Sequence, residues 1–168
     1  MLYLYTVKNE WNLCMKQEYT DKQKLYFALC ILLKEYGYNE GSDKFFVVHT
    51  EDYVYDDDPN HPESYKKDDI SVYPRYHKNS NEEPNYFEMP TLEDINMWLL
   101  NETGFYVCIK ITNGRYFDYD IYKKVENLTF VKYRLVSSTI LHITSPDETY
   151  INAFLSILNY LCGYTETL

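Results

Sequence analysis

The run FYVCIKITNGRYFDYDIYK at residues 105–123 decides the fold, because it has the pattern of two strands joined by a tight turn. Asn113-Gly114 separates two runs rich in aromatic and β-branched residues. This dipeptide adopts positive φ angles at low cost, and a type I′ turn requires them at both of its central positions. The run therefore predicts a β-hairpin, and with it an antiparallel sheet.

Three helices are predicted around this hairpin, and they span residues 20–37, 91–104 and 145–163. Each begins at Ser or Thr, with an acidic or amide side chain three positions later, which is the spacing of a capping box. Each ends at a glycine, the residue that most often terminates a helix. Pro146 occupies the first helical position of the third helix, where its missing N–H costs nothing.

Two further segments have strand character. The run KFFVVHT at 44–50 is short, aromatic and β-branched, and LTFVKYRLVSSTILHIT at 128–144 predicts one or two strands with a turn at Ser137-Ser138. The order of elements predicts an α+β fold, in which an antiparallel sheet of about four strands packs with three helices. We expect a single domain, 1–168, that carries a long acidic, tyrosine-rich insertion at 51–88, the acidic insertion.

The acidic insertion contains EDYVYDDDPNHPESYKKDD at 51–69, the acidic connection. A stretch of about forty residues without a clear element is uncommon in a compact domain unless it is functional or disordered. Its many aromatic residues are atypical of a flexible linker, so we expect it to be at least partly ordered.

The negative charge is confined to the middle of the chain. The formal net charge is −10, yet residues 1–50 carry six acidic and six basic side chains, and so do residues 105–168. The acidic connection carries eight acidic against two basic side chains, and residues 70–104 carry six against two. The whole net charge therefore lies in residues 51–104.

Two interpretations of this charge stay open: a solvated acidic loop that keeps the protein soluble, and a docking surface for a basic partner. Tyrosines among the carboxylates favour docking, because they supply contact area at low entropic cost. Direct DNA binding is not expected, since cationic contacts to phosphate dominate such affinity. The candidate partner-binding residues are Glu51, Asp52, Tyr53, Tyr55, Asp56, Asp57, Asp58, Glu63, Tyr65, Asp68, Asp69, Tyr73 and Tyr76.

Metal binding is a weaker alternative. Ligands for Ca²⁺ or Mg²⁺ could come from the carboxylates of Asp56, Asp57, Asp58, Asp68 and Asp69, together with His61. The alternating spacing and central glycine of a calcium loop are missing, so we expect no metal and no cofactor.

The cysteines predict a reducing environment. Cys14, Cys30, Cys108 and Cys162 are widely spaced, and the last three lie in apolar runs, which favours buried, reduced thiols. No secretion signal and no apolar run of membrane-spanning length occurs. We therefore expect a cytoplasmic protein without a membrane partner.

Catalysis is the minority interpretation. His49 with Thr50 and His142 with Thr144 resemble the paired H-x-[ST] motifs of two-histidine phosphoesterases, but the residue two after His49 is Glu51, which would repel phosphate. A small basic cluster, Lys123, Lys124, Lys132 and Arg134, is interpreted as a solvated strand face.

The segment MPTLEDINMWLLNETGFYVCIKI at 89–111, with SPDETYINAFLSILNYL near the end of the chain, resembles small uncharacterised phage and prophage proteins of Bacteroidota. That resemblance covers about the last 80 residues and implies a phage context without a known activity. Small acidic phage proteins of this kind are similar in character to anti-CRISPR inhibitors, which bind the basic channel of an effector nuclease.

The resulting hypothesis is a non-enzymatic, phage-encoded inhibitor of a host defence nuclease. Its expected partner is a basic protein, a CRISPR effector nuclease or its RNA complex. The alternatives are an immunity protein that neutralises a basic toxin and a two-histidine phosphoesterase that degrades a nucleotide signal.

Overall fold

A computed structural model describes residues 20–50, 70–74, 84–127 and 130–168. Within these residues the chain forms three helices and six strands. The strands form two antiparallel sheets of three strands each, so the predicted α+β class is confirmed. The chain divides into two compact units, Met1–Met89 and Pro90–Leu168. The single domain expected from the sequence remains a prediction, and the two units are described separately.

The first unit contains helix α1 (Asp21–Tyr36) and strands β1 (Lys44–Val48), β2 (Ile70–Pro74) and β3 (Tyr86–Glu88). Helix α1 begins as predicted, because the Thr20 side chain accepts a hydrogen bond from the Gln23 backbone while the Gln23 side chain accepts one from the Thr20 backbone. It ends at Gly37, whose φ of 100° is the left-handed conformation that glycine adopts without strain.

The first sheet has the order β2-β1-β3. Phe46 of β1 lies opposite Val72 on one side and Phe87 on the other. One face of the sheet packs on α1, and its core consists of Phe27, Cys30, Phe46, Ile70 and Phe87. Two strands of this sheet, β2 and β3, come from the acidic insertion, which is therefore partly ordered and integral to the unit.

The second unit contains helix α2 (Leu92–Thr103), strands β4 (Phe105–Thr112), β5 (Tyr116–Asn127) and β6 (Phe130–Ile143), and helix α3 (Pro146–Leu161). Helix α2 has the predicted capping box between Thr91 and Asp94. Asn113 and Gly114 have φ angles of 54° and 68°, so both adopt the positive φ that the predicted hairpin turn requires.

The second sheet is a meander of order β4-β5-β6. Helices α2 and α3 both contact β4, and side chains of α2 and α3 such as Leu99 and Phe154 are fully buried. Phe105 and Val107 of β4 are buried, whereas Cys108 is exposed. The expectation that Cys108 is buried was wrong, because strand alternation places it on the face opposite Val107. Cys162 is half-buried, and Cys14 lies outside the described residues.

The outer edge of β4 is blocked at Val107 by a side chain. The Asn96 amide of α2 donates to the Val107 carbonyl at 3.1 Å and accepts from the Val107 N–H at 3.0 Å, and both contacts are buried. An asparagine thus provides the two hydrogen bonds that a neighbouring strand would provide at Val107, which blocks strand pairing at this position of the edge.

The prediction of a turn at Ser137-Ser138 was wrong. Strand β6 continues through both residues, with Ser137 opposite Ile121 and Ser138 opposite Asp120. The long β5 provides pairing partners on both sides of Ser137-Ser138, and two register shifts, at Phe117/Tyr119 and at Ile121/Tyr122, accommodate the residues of β6 that have no partner. None of the described helices is long and apolar enough to cross a membrane.

Candidate partner-binding site

The first sheet fixes both ends of the acidic connection. Strands β1 and β2 are antiparallel, with Val48 opposite Ile70. The chain therefore leaves the sheet after Val48 and returns at Ile70 at the same end, where opposite Cα atoms are about 5 Å apart. The acidic connection, with its eight carboxylates, is consequently tethered at both ends to one end of the first sheet.

Polar contacts join the strands at this end of the sheet. The Val48 N–H donates to the Asn85 carbonyl at 2.9 Å, and the Asn85 side-chain amide donates to the Val48 carbonyl at 3.0 Å. The His49 Nε2 lies 3.0 Å from the Ser71 hydroxyl, and the tautomer of the ring decides which of the two donates. Residues in or next to all three strands thus contribute to the contacts at the end of the sheet where the acidic connection begins.

An aromatic row crosses the sheet on the face opposite α1. Phe45 stacks on Tyr73 with ring centroids 6.0 Å apart and on Tyr86 with centroids 5.3 Å apart. All three side chains are half-buried, and His49 adds an edge contact to Tyr73. Such cross-strand aromatic pairs stabilise a sheet, and here they give the sheet that carries the acidic connection an amphipathic face.

The opposite face of the sheet holds the core. Phe27 of α1 makes edge contacts with Phe46 and Phe87, with centroids 4.9 and 5.4 Å apart. Burial raises the pKa of the Cys30 thiol, and the Glu88 carboxylate raises it further. Cys30 therefore stays a neutral thiol at physiological pH and serves packing, since only the thiolate is an effective nucleophile.

A buried carboxylate connects β3 to the loop before β1. Glu88 is 4% exposed, and its Oε2 accepts a hydrogen bond from the Ser42 N–H at 3.0 Å and lies 2.5 Å from the Ser42 hydroxyl. The Met89 N–H donates to the same hydroxyl. Buried carboxylates are stable only with such partners, so Glu88 acts as a structural anchor although it belongs to the acidic part of the sequence.

The described residues contain one member of the predicted binding set, Tyr73, which lies in the aromatic row. The other members lie outside the described residues: Glu51, Asp52, Tyr53, Tyr55, Asp56, Asp57, Asp58, Glu63, Tyr65, Asp68, Asp69 and Tyr76. The sequence patterns did not single out Phe45 or Tyr86 as neighbours of Tyr73, because this contact depends on the non-local register of β1 with β2 and β3. The signal available in the sequence was only the run of aromatic residues.

The residues of the metal alternative, from Asp56 to Asp69, also lie outside the described part of the chain. Among the residues that are described, no group of three or more His, Cys, Asp or Glu side chains could hold a metal ion.

The two histidine motifs lie in different sheets. His49 follows β1 in the first unit, and His142 is a position of β6 in the second. Two-histidine phosphoesterases need both motifs on facing strands, where the imidazoles act as acid and base. The phosphoesterase alternative stays a prediction.

A polar cluster on the second sheet escaped the sequence patterns. The Lys110 Nζ donates to the Asp120 carboxylate at 2.6 Å and to the Ser138 hydroxyl at 2.9 Å. The hydrogen bond to Asp120 raises the pKa of Lys110. The raised pKa favours the protonated lysine, which donates a hydrogen bond to Ser138 and does not act as its base in this form.

The carboxylate of this cluster is stabilised in its charged form. Partial desolvation would raise the pKa of Asp120, but the hydrogen bonds from Lys110 and Ser138 outweigh it and hold the pKa below its ordinary value. The register of the Asn-Gly hairpin, which pairs Cys108 with Asp120, already places Lys110 near this carboxylate.

The basic cluster lies on adjacent strands of the second sheet. Lys123 is opposite Arg134, Lys124 is opposite Tyr133, and Val125 is opposite Lys132. The Lys123 Nζ donates to the Thr103 carbonyl and lies 3.9 Å from the centroid of the Phe105 ring. Lys123 is therefore engaged within the fold, whereas Arg134 is exposed.

Comparisons of the chain with protein-family models, with curated proteins and with solved structures found no significant match. The resemblance to phage proteins of Bacteroidota accordingly stays a prediction.

Proposed function

We propose that this protein is a phage-encoded inhibitor of the anti-CRISPR type, which binds a basic, nucleic-acid-handling surface of a host defence nuclease and catalyses no reaction. It acts in the cytoplasm of the bacterial host. The observation that carries the proposal is the distribution of charge. Residues 51–104 hold the whole net charge of −10, while the parts of the chain before and after them are each neutral.

The complementary surface follows from the chemistry of nucleic-acid binding. Proteins that hold RNA or DNA bind the phosphates with Lys and Arg, so an empty nucleic-acid channel is strongly cationic. A dense run of carboxylates is attracted to such a channel and associates with it faster at low ionic strength. Tyrosines among the carboxylates supply the apolar contact area that typically holds an interface together once it has formed.

The anchoring of the acidic connection supports this function. Both of its ends are tied into one sheet by the Val48–Ile70 pairing, and Tyr73 belongs to the aromatic row on that sheet. Tethering at both ends lowers the conformational entropy that a segment loses when it binds, in comparison with a free tail of the same composition. A folded base therefore makes the carboxylates a better ligand for a partner protein.

The test is capture of the partner from a lysate of the host, with tagged protein as bait, followed by mass spectrometry. The expected result is a basic nuclease, retained after nuclease treatment of the lysate. The variant Asp56→Asn/Asp57→Asn/Asp58→Asn is expected to capture much less of it. The matched control, Glu40→Gln/Asp43→Asn/Glu166→Gln, removes three exposed carboxylates from the neutral parts of the chain and is expected to capture as much as the wild type.

Two outcomes would overturn the proposal. Capture of a small basic toxin would assign the protein to the immunity-protein class, which uses the same physical principle on a different partner. Hydrolysis of a cyclic nucleotide by the wild type, lost in the variant His142→Ala, would assign it to the phosphoesterases.

A further inference from the structure

We propose that the outer edge of β6 is a second interaction site, which accepts an extended segment of a partner protein as an additional strand. The segment it fits has alternating acidic and apolar residues. This inference concerns the second unit alone and does not depend on the function proposed for the acidic insertion.

The two edges of the second sheet differ in their capacity to pair. The edge at β4 is blocked at Val107, since the Asn96 amide engages both the N–H and the carbonyl of that residue. At the other edge, β5 is the only strand paired with β6 within the described part of the chain. An edge strand with unpaired N–H and carbonyl groups is the usual template for strand addition.

The first half of β6 has the regularity that pairing needs. Residues Phe130 to Leu135 of β6 pair with Asn127 to Tyr122 of β5 without a register shift. The nearest irregularity follows Leu135. Six consecutive residues of β6 thus keep the extended conformation of a flat edge. A bulge beyond them increases the local twist and limits the length of segment that can be added.

Apolar side chains are exposed along this edge. Tyr133 is 47% exposed, Leu135 is 49% exposed and Val136 is 41% exposed, and Val125 of the neighbouring strand is 45% exposed. Single exposed apolar side chains are common, but Tyr133 and Leu135 lie two positions apart on one face of β6 and form an apolar strip along its edge, whereas Val125 belongs to the other face. An added strand would cover part of this strip with its own apolar side chains.

The charge at the edge selects an acidic segment. Arg134 lies directly opposite Lys123, and like charges at opposite positions of a sheet destabilise it. Lys123 is engaged with the Thr103 carbonyl, whereas the ion pairs formed by described residues do not include Arg134. Carboxylates on an added strand would relieve this repulsion. A second copy of β6 would instead bring a further Arg134 to the edge, which disfavours self-pairing.

The alternation of the segment follows from strand geometry. Tyr133 and Leu135 point to one face of the sheet and Arg134 to the other, because successive side chains of a strand alternate. A segment that matches this edge therefore presents apolar side chains on the first face and carboxylates on the second. A block of acidic residues followed by a block of apolar residues has the same composition but cannot satisfy both faces.

Three labelled hexapeptides test the inference by fluorescence anisotropy on the full chain: VEVEVE, its block isomer VVVEEE, and VEVEVE with alternate backbone nitrogens methylated. We expect VEVEVE to bind, and each of the other two to bind at least about tenfold more weakly, because each loses several backbone or side-chain interactions. Equal affinity for all three would overturn strand addition in favour of plain charge attraction, and absence of binding by VEVEVE would overturn the site altogether.

Variants locate the site. Arg134→Glu is expected to abolish binding of VEVEVE, and Leu135→Ser to weaken it, while Arg115→Glu, which changes an exposed cation at the hairpin turn, leaves it unchanged. The thermal midpoint of each variant reports whether the fold is kept. Equal loss of binding in Arg115→Glu would overturn the assignment to β6. A dimer in sedimentation experiments that VEVEVE dissociates would assign the edge to a second copy of the chain and overturn the proposal.

Discussion

The two sheets of this protein each have three antiparallel strands, but the chain connects them in different ways. In the second sheet the strands follow one another, and the three-residue turn Asn113-Gly114-Arg115 joins β4 to β5. In the first sheet β1 lies in the middle, and both of its neighbours come from the acidic insertion. The acidic insertion therefore supplies two of the three strands of the sheet to which the acidic connection is attached.

This difference separates the roles of the two sheets. The first sheet provides the ends of the acidic connection, so a change in its core alters both stability and the presentation of the carboxylates. The second sheet is built from pairings between consecutive strands, and within the described residues its β4 edge is blocked at Val107 while β6 pairs with β5 alone. Substitutions in the two sheets should therefore have separable effects.

The largest expected effect is on the core of the first sheet. Phe46 is 1% exposed and contacts Phe27, so Phe46→Ala leaves a cavity and should lower the free energy of unfolding by about 3–5 kcal/mol. Urea denaturation measures the loss. Hydrogen exchange should rise in β1 and β2 and stay unchanged in β5. An equal rise of hydrogen exchange in both sheets would contradict the expectation that substitutions in the two sheets have separable effects.

The half-buried neighbour of Phe46 serves as the control. Phe45→Ala removes the stacking on Tyr73 and Tyr86 but leaves no closed cavity. We expect a loss of about 1–2 kcal/mol, clearly less than for Phe46→Ala.

The next effect concerns the blocked β4 edge of the second sheet. Asn96→Ala leaves the buried N–H and carbonyl of Val107 without partners, which should cost about 2–3 kcal/mol in the free energy of unfolding. The exposed Asn101 of the same helix is the matched control, and Asn101→Ala should change stability by less than about 0.5 kcal/mol. An equal decrease in the free energy of unfolding in the two variants would show that the contact between Asn96 and Val107 makes no specific contribution to stability.

The smallest effect is the dependence of stability on pH through the Lys110–Asp120 pair. The pKa of Asp120 is lowered in the folded state, so its contribution is present above the unfolded value of about 3.9 and is lost as the pH falls through the folded value. The pKa of Lys110 is raised, so its contribution is present below about 10.4 and is lost as the pH rises through the folded value.

The pair is partly exposed, with Lys110 at 41% of its side-chain area, so we expect less than about 1 kcal/mol. Thermal midpoints measured against pH should show both losses of stability in the wild type. In Asp120→Asn the part of the decrease at low pH that comes from this pair should be absent. A variant whose profile coincides with that of the wild type at low pH would exclude the contribution.

The elements that could be predicted from the sequence are those fixed by local chemistry. The capping residues Thr20 and Thr91 begin helices as expected, and Gly37 and Gly104 end them in the left-handed conformation. The Asn-Gly turn is likewise a property of two adjacent residues. Each of these signals depends on neighbours within four positions, so the composition of the rest of the chain does not alter it.

The elements that could not be predicted depend on distant partners. Strands β2 and β3 are short and lie among prolines and carboxylates, and only their pairing with β1 makes them strands. The same holds for Ser137-Ser138, which would favour a turn in isolation but pair with the long β5. The aromatic row of Phe45, Tyr73 and Tyr86 follows from that register, so sequence patterns identified Tyr73 without its neighbours.

The most direct test of the central claim is the salt dependence of binding to the captured host protein, measured by titration calorimetry at several ionic strengths. The account predicts that the affinity of the wild type falls steeply with salt, and that the variant with Asp56, Asp57 and Asp58 changed to Asn binds more weakly with a flatter dependence. The control with Glu40, Asp43 and Glu166 neutralised should follow the wild type. Identical affinity and slope for the wild type and the Asp56–Asp58 variant would contradict binding through the acidic connection.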